Sequence, residues 1–214
     1  MSTTRADVPF TVLPCGSAAL MLELGSLDDV LAVYAALLDD TPPGVIDLVP
    51  AARTLMLLLD PAQTEPAAVE RAVRKVTPRH NDREHGDLLE IPVVYDGEDL
   101  DEVGKLTGWG GDGVIERHTG TEWTVAFCGF APGFGYMVSD SGGFDIPRRS
   151  TPRTKVPPGA VGLAGEFAGV YPRESPGGWQ LIGSTDLQTF DLDREPPALL
   201  TPGTRVRFVD QGVK

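Results

Sequence analysis

Basic side chains concentrated in one stretch are the first feature of this sequence that could bind a small ligand. Residues 147–173 hold five basic residues and one acid, whereas residues 87–122 hold ten acids and two basic residues. The five are Arg148, Arg149, Arg153, Lys155 and Arg173. Guanidinium groups suit carboxylates and phosphates because their N–H groups can donate in pairs. The stretch is therefore a candidate anion site; the alternative is a solvated loop whose charges pair with the acidic segment.

A glycine-rich loop, GFAPGFGYM from Gly129 to Met137, is the second candidate. Glycine allows positive φ and close approach of a ligand, so the loop could present backbone N–H groups to an oxyanion or phosphate. Its spacing matches neither of the common nucleotide-binding loops. The alternative is a tight barrel corner with Phe130, Phe134 and Tyr136 packed inside.

His118 is the third candidate, since the other two histidines, His80 and His85, share a polar segment. The pKa of a histidine suits general acid–base catalysis. His118 also falls at the C-terminal end of a predicted helix, where the helix dipole favours a protonated imidazole, and that structural role would be sufficient by itself. His80 and His85 have no third ligand spaced near them, so no metal site is predicted.

The segment YPRESPGGWQLIG, residues 171–183, is the fourth candidate. Its turn residues are Pro176, Gly177 and Gly178. They predict a rigid turn that places Trp179, with Gln180 as a neutral hydrogen-bonding group. Trp179 either anchors a partner or packs in the core.

No complete catalytic set accompanies these candidates. The sequence has no GxSxG, HExxH or CxxC motif and no Walker lysine. Its two cysteines, Cys15 and Cys128, are too few for a disulfide framework or a thiolate zinc cluster.

The C-terminal half predicts a β-rich domain that would position these candidates. A strand, LLEIPVVY, precedes helices at about 98–107 and 112–118 and a further strand, TEWTVAFCGF. Residues 129–203 then hold 13 glycines and 10 prolines between short β-runs. Short strands with Gly and Pro at each corner indicate a closed barrel or a sandwich.

The N-terminal half predicts a compact α+β domain with the element order ββαββα. Two strand-like runs precede a helix that Ser26 opens, with Asp29 in the capping-box position. Two further strands, VIDLV and TLMLLLD, precede a last helix that Thr64 caps and Pro66 begins.

The length of the chain and one polar segment predict two domains. A chain of 214 residues suits one large domain or two small ones. Residues 77–86 are polar and lack apolar periodicity, as expected of a linker. We therefore place the α+β domain at 1–80, the linker at 81–86 and the β-rich domain at 87–214.

The charge and the hydropathy of the chain exclude some partners. The net charge is −13, from 31 acidic and 18 basic residues. Such a charge argues against nucleic acid and anionic lipid as partners. No run approaches 18 apolar residues, and the N-terminus lacks the apolar core of a signal peptide. We expect a cytoplasmic protein without a membrane segment.

Four long motifs in the C-terminal half carry a resemblance to a known family. They are GFAPGFGYM, IPRRSTPRTKVPPGAVGLAG, GVYPRESPGGWQLIG and PALLTPGTRVRFV. They cover most of residues 91–209 and resemble the KipI / allophanate hydrolase subunit 1 family, which also includes the PxpB chain of 5-oxoprolinase. The N-terminal element order fits the family's smaller domain.

The resemblance implies a small α+β domain followed by a cyclophilin-like closed β-barrel. It implies a second subunit of the KipA type, also called allophanate hydrolase subunit 2, in an expected heterotetramer, with a LamB/YcsF-type subunit as a further possible partner. The implied activity is ATP-dependent opening of 5-oxoproline to glutamate, with ATP used by the complex and bound by no recognisable motif in this chain. The family's alternatives are the carboxyltransferase subunit of a urea carboxylase-like system and a KipI-like inhibitor of a sensor histidine kinase.

The resemblance also assigns site residues. The family's histidine falls on His118, its TPR block on Thr151, Pro152 and Arg153, and its SPGGW block on residues 175–179. Its glycine-rich turn falls on Gly129, Pro132, Gly133, Phe134 and Tyr136. Three positions depart from the family's pattern: Gly135, Ala160 and Ser184, which stand where proline, serine and arginine are common. The last departure removes a potential anion ligand.

These assignments predict a mechanism in outline. We expect His118 to shuttle a proton and Arg153 to act with it at the reacting group. Arg148, Arg153 and Lys155 would hold a small anionic or amide substrate, with Gln180 as a further ligand. The glycine-rich loop would donate N–H groups to developing negative charge.

Overall fold

The computed structural model of the protein describes residues 8–79, 88–139 and 141–212. Contacts divide the chain into two compact units, residues 1–84 and 85–214. The predicted linker at 81–86 lies outside the described residues, and the predicted domain boundaries stay predictions.

The N-terminal unit is a four-stranded antiparallel sheet with two helices. Its elements are β1 (Phe10–Pro14), β2 (Ala19–Leu24), α1 (Leu27–Asp39), β3 (Val45–Pro50), β4 (Thr54–Leu59) and α2 (Pro66–Val73). The strands are arranged in the order β1-β2-β4-β3. Buried side chains of the strands and of both helices form a single core, which confirms the predicted ββαββα order.

The predicted N-cap residue is correct for α1 and wrong for α2. Ser26 caps α1 as predicted: its Oγ accepts from the N–H of Asp29 at 3.2 Å and its hydroxyl donates to the Asp29 carboxylate at 2.8 Å. The predicted Thr64 cap is wrong, because the N-cap of α2 is Glu65 and Pro66 already occupies the first turn. Proline fixes the helical φ there, so this helix begins without a side-chain cap.

The C-terminal unit begins with a strand, two helices and a long series of strands. They are β5 (Leu88–Val93), α3 (Leu100–Thr107), α4 (Gly110–Gly120), β6 (Glu122–Cys128), β7 (Gly135–Ser139), β8 (Arg153–Val156), β9 (Ala160–Ala164), β10 (Phe167–Val170), β11 (Ser175–Gly177), β12 (Gln180–Ser184) and β13 (Arg205–Asp210). Both predicted helices are present, with ends within two residues of those expected.

Seven of these strands form a barrel-like sheet. The order is β12-β9-β10-β7-β6-β13-β5, with β13 and β5 parallel and the other neighbours antiparallel. The N–H of Val94 donates to the carbonyl of Ser184 at 2.9 Å, and the N–H of Ser184 donates back at 2.8 Å. These two bonds join the edges of the sheet, so the predicted α+β class with a β-barrel is confirmed in a nearly closed form.

A short two-stranded ribbon and one helix end lie outside the seven-stranded order and carry several candidate residues. In the ribbon, β8 pairs with β11, which places Arg153 opposite Gly177. Asp99, at the start of α3, is tied to β12 because its N–H donates to the carbonyl of Leu181 at 2.9 Å. The glycine-rich loop connects β6 to β7. Segments that are distant in sequence therefore meet beside β12.

Among the described residues, the helices are all too short or too polar to cross a membrane. The same residues include no group of three or more His, Cys, Asp or Glu side chains arranged to hold a metal ion.

Candidate functional site

The loop Gly129–Gly135, called the glycine loop below, contains a strained turn. The N–H of Ala131 donates to the carbonyl of Gly129 at 2.7 Å, which closes a γ-turn centred on Phe130 at φ 65°. A γ-turn of this hand is rare, and a positive φ is costly for a bulky residue. Phe130 is also 54% exposed, so it does not pack inside the barrel. Strain held at an exposed residue is a feature of functional loops.

Most backbone donors of the glycine loop are already used. Three N–H groups donate to carbonyls inside the loop: those of Gly129, Ala131 and Phe134. Gly133 is buried at φ 81°, and a side chain there would collide with Phe190. The N–H of Phe130 donates to no described residue and is the exposed donor that remains. The loop can therefore offer one N–H to a ligand, but it does not fit a cradle for a triphosphate.

Aromatic rings hold the glycine loop in place. The cluster consists of Phe130, Phe134, Tyr136, Tyr171 and Trp179, and we call it the aromatic cluster. Its rings meet edge to face with centroids 5.0 to 6.5 Å apart. Such pairs contribute about 0.5–1.5 kcal/mol each beyond the area they bury. Phe134 and Trp179 are 1% and 5% exposed, so they support the site from behind and do not face a ligand or a partner.

The SPGGW turn, residues 175–179, packs against the side chain of Tyr171. A side chain at Gly177 would overlap the Tyr171 hydroxyl, which makes glycine necessary at this close approach. The backbone N–H of Trp179 donates to that hydroxyl. Pro176 is exposed, and the carbonyl of Gly178 accepts from Arg149 N–H at 2.9 Å. The turn therefore fixes the phenol that faces the basic stretch.

A buried carboxylate organises the basic stretch. Asp99 is 4% exposed; Nη1 of Arg149 lies 2.5 Å from its Oδ1, and Nη2 of Arg153 lies 2.9 Å from both of its oxygens. Burial alone would raise the pKa of Asp99, but the hydrogen bonds from Arg153 and from Leu181 N–H outweigh it and lower the pKa. The carboxylate therefore stays ionised. We call Glu98, Asp99, Arg149 and Arg153 the Asp99 cluster, since Glu98 adds a 3.0 Å bond to Arg153.

The Asp99 cluster settles one alternative that the sequence leaves open. Arg149 and Arg153 pair with the acidic segment, so their charges are largely neutralised. Nζ of Lys155 lies 3.1 Å from Oε1 of Glu174, and both side chains are exposed. Arg153 and Lys155 therefore already have carboxylate partners, and their predicted contacts with an anionic substrate stay predictions.

Two buried polar atoms near the Asp99 cluster have no partner among the described residues. They are Nη1 of Arg153 and Oε1 of Gln180. Gln180 is 5% exposed, and its Nε2 donates to the carbonyl of Pro147 at 3.1 Å. A donor and an acceptor left open in this way can be satisfied by a small ligand or by water.

Arg148 is the basic side chain best placed to bind an anion. It is exposed, and within the described parts of the chain it has neither an ion pair nor a hydrogen bond. Burial raises the pKa of Tyr136 and of Tyr171, and the positive charge of Arg148 partly offsets the rise at both. Both hydroxyls therefore stay protonated, and the positive charge of Arg148 acts on both.

His118 lies in the barrel core. It is fully buried, its ring stacks on Phe208 at 4.1 Å between centroids, and Tyr95 Oη lies 2.7 Å from its Nδ1. Burial lowers its pKa from 6.5 to about 3, so the ring is neutral at physiological pH. A group that a substrate cannot reach does not fit the predicted proton shuttle, and we leave His118 out of the site.

The burial of His118 predicts an acid-dependent loss of stability. Its folded pKa of about 3 is below its ordinary value of 6.5, so as the pH falls below 6.5 the unfolded chain binds a proton that the folded chain does not. The free energy of unfolding should then fall by about 1.4 kcal/mol for each pH unit from this residue. Urea unfolding of wild type and of His118→Gln at about pH 7.5, 6.5 and 5.5 measures the difference. An equal slope for both proteins would contradict this assignment.

Sequence reasoning missed Asp99, Tyr171 and the exposure of Phe130. Asp99 is one of ten acids in its segment, and nothing local marks it as the buried one. For His118 a signal was present, because Val114 lies four residues earlier on the same helix face and is also buried.

Comparison with known proteins gives one family for most of the chain. Residues 10–200 match the family model described as carboxyltransferase domain, subdomain C and D. A protein of Bacillus subtilis (strain 168), named as the B subunit of 5-oxoprolinase, is 34% identical over 225 residues, covering 94% of this chain and 93% of that protein.

Solved structures share the fold. TTHA0988 has a TM-score of 0.74 at 37% identity over 92% of this chain, and the chain spans only 41% of the length of that protein. The urea amidolyase of K. lactis has a TM-score of 0.77 at 15% identity, covering 98% of this chain and 15% of that one. The second likeness concerns the fold alone.

Proposed function

Because this chain belongs to the family of carboxyltransferase domains with subdomains C and D, we propose that it is the B-type subunit of a cytoplasmic hydrolase that opens the ring amide of 5-oxoproline. The observation that carries the proposal is the near full-length similarity to a protein named as the B subunit of 5-oxoprolinase. The barrel domain is then cyclophilin-like, as the resemblance implies.

The geometry of the candidate site supports a small anionic substrate. 5-Oxoproline carries a carboxylate and a ring amide, and the site offers Arg148 as an exposed cation without an ion pair among the described residues, whose charge acts on the phenols of Tyr136 and Tyr171. In this proposal Arg148 binds the carboxylate, the half-buried Tyr136 donates to it, and the N–H of Phe130 is free to donate to a carbonyl oxygen. Nη1 of Arg153 is a further buried donor, and Oε1 of Gln180 is a further buried acceptor; neither has a partner among the described residues.

A partner chain completes this site in our proposal. Among the described residues we identify no nucleophile and no phosphate loop at the candidate site, since most donors of the glycine loop are used internally. We therefore assign ATP to the complex with a KipA-type subunit, in a heterotetramer, with a LamB/YcsF-type chain as an additional partner. ATP supplies the activation of the amide carbonyl; the residues of this chain bind and orient the substrate.

Co-expression tests the proposal and its nearest competitor. The family model's description favours carboxyl transfer in a urea carboxylase-like system as a second candidate. The complex of this chain with the KipA-type chain and the LamB/YcsF-type chain from the same genome is purified and given ATP and bicarbonate with either 5-oxoproline or urea. We expect glutamate and ADP with 5-oxoproline and no carboxylated urea. Carboxylated urea without glutamate formation would favour the second candidate, and no activity with either substrate would overturn the proposal.

A further inference from the structure

An exposed leucine at the end of a rigid hairpin is the most prominent apolar feature of the described surface. Leu192 is 83% exposed, more than any other large apolar side chain that the structure describes. An apolar side chain in water gains about 2 kcal/mol when a partner buries it. A single exposed leucine is common on protein surfaces, and this one is distinguished by the way the chain holds it.

The segment 188–199, called the Leu192 hairpin, is held by more bonds than a surface loop requires. Phe190 pairs with Ala198, and the N–H of Asp191 donates to the carbonyl of Pro197 at 2.9 Å. The guanidinium of Arg194 donates to three carbonyls: those of Gln188 (3.1 Å), Pro196 (3.4 Å) and Pro197 (2.8 Å). The tip is therefore ordered before any partner arrives, which lowers the entropic cost of binding.

The hairpin is joined to the candidate site. Phe190 occupies the space beside Gly133 of the glycine loop, so closely that a side chain at Gly133 would collide with it. Beyond the hairpin, the carbonyl of Leu200 accepts from Cys128 Sγ at 3.2 Å, at the other end of the same loop. A protein bound to the hairpin would thus be held next to the strained loop that carries Phe130.

The charges of the tip specify the partner. Leu192 is flanked by acids at Asp191, Asp193 and Glu195, and the one cation, Arg194, turns its guanidinium to backbone carbonyls. The surface offered is therefore apolar with a negative rim, which suits an apolar pocket rimmed by lysine or arginine. A second copy of this chain is a poor match, since each copy carries a net charge of −13.

We infer that the Leu192 hairpin is a docking element for the partner subunit, inserting Leu192 into an apolar pocket with a basic rim. The inference rests on the proposed function, because the partner is the KipA-type chain of that proposal. Beyond the proposed function, the inference identifies the surface of this chain that contacts the partner and places that contact beside the glycine loop.

Affinity measurement with matched leucine variants tests the inference. Binding of the purified KipA-type chain is measured by calorimetry for wild type, Leu192→Ala and Leu38→Ala, where Leu38 is a 55% exposed leucine on α1 of the N-terminal unit. We expect Kd to rise about 10-fold or more for Leu192→Ala and to stay within about 2-fold for Leu38→Ala. The melting temperature of each free variant should equal that of wild type, because both side chains are exposed.

Each other outcome overturns the inference in a distinct way. If wild type binds the partner and Leu192→Ala binds equally well, the hairpin is not the docking element, while the proposed function stands. If wild type does not bind the partner at all, both proposals fail. If Leu192→Ala instead abolishes self-association of this chain in light scattering, the occupant is a second copy. Replacing Asp193 and Glu195 together with lysine should slow association, and unchanged kinetics would refute the basic rim.

Discussion

Replacing Asp99 with alanine is expected to lower the free energy of unfolding by about 3–5 kcal/mol. The substitution removes the carboxylate that neutralises two guanidinium groups, and the Arg153 side chain is only 13% exposed. A buried charge left without its partner is strongly destabilising. The N–H of Leu181 would also lose its acceptor. Urea unfolding followed by fluorescence measures the loss as a shift of the midpoint.

Glu98 provides the matched control for Asp99. It bonds the same guanidinium at 3.0 Å but is 79% exposed, so Glu98→Ala should cost less than about 1 kcal/mol. Equal losses at Asp99 and Glu98 would show that the buried position of the carboxylate is unimportant. Because the pKa of Asp99 is lowered, its contribution is present above the ordinary carboxyl pKa of 3.8 and is lost as the pH falls through the lower folded value.

Replacing Arg148 with alanine is expected to lower kcat/KM of the complex for 5-oxoproline by about 10- to 100-fold. That range corresponds to the loss of a hydrogen-bonded ion pair, about 1.5–3 kcal/mol. Arg148 is exposed and makes no ion pair among the described residues, so the fold should be unaffected. Initial rates of glutamate formation at several substrate concentrations measure kcat and KM separately.

Arg173 is the control for Arg148. It belongs to the same basic stretch and is exposed, but its charge does not shift the pKa of either tyrosine. Arg173→Ala should therefore keep the wild-type kcat/KM, and Arg148→Lys should recover part of the loss because the charge is kept. If both alanine variants lose activity equally, the effect is one of general charge and the assignment of Arg148 is wrong.

Local sequence patterns predicted the elements because local physics determines them. The ββαββα order follows from alternating strand runs and helical spacing, and Ser26 caps α1 with the bonds expected of a capping residue. The Thr64 cap failed because Pro66 sets the helix start one residue later. Gly and Pro at each corner predicted a closed barrel or a sandwich, and the bonds between Val94 and Ser184 bring the edges of the sheet together into a nearly closed barrel.

The site was harder to predict because it depends on contacts between distant segments. The charge imbalance in the sequence allowed either an anion site or pairing with the acidic segment, and the structure shows the pairing for two of the arginines. Arg149 and Arg153 pair with Asp99, about 50 positions away in sequence, whereas Arg148 has no such pair. Spacing along the chain cannot distinguish neighbouring arginines that point to different surroundings. The sequence likewise does not predict the positive φ of Phe130, because the glycines around it would be expected to adopt such a conformation instead.

A titration of the KipA-type chain with this chain, in the presence of the LamB/YcsF-type chain, tests whether this chain supplies part of a shared site. Glutamate release from 5-oxoproline and ATP is recorded as this chain is added to a fixed amount of the other two. We expect no activity when this chain is left out, and a rise to a plateau at a fixed ratio to the KipA-type chain. Full activity without this chain, or no activity at any ratio, would contradict the shared site.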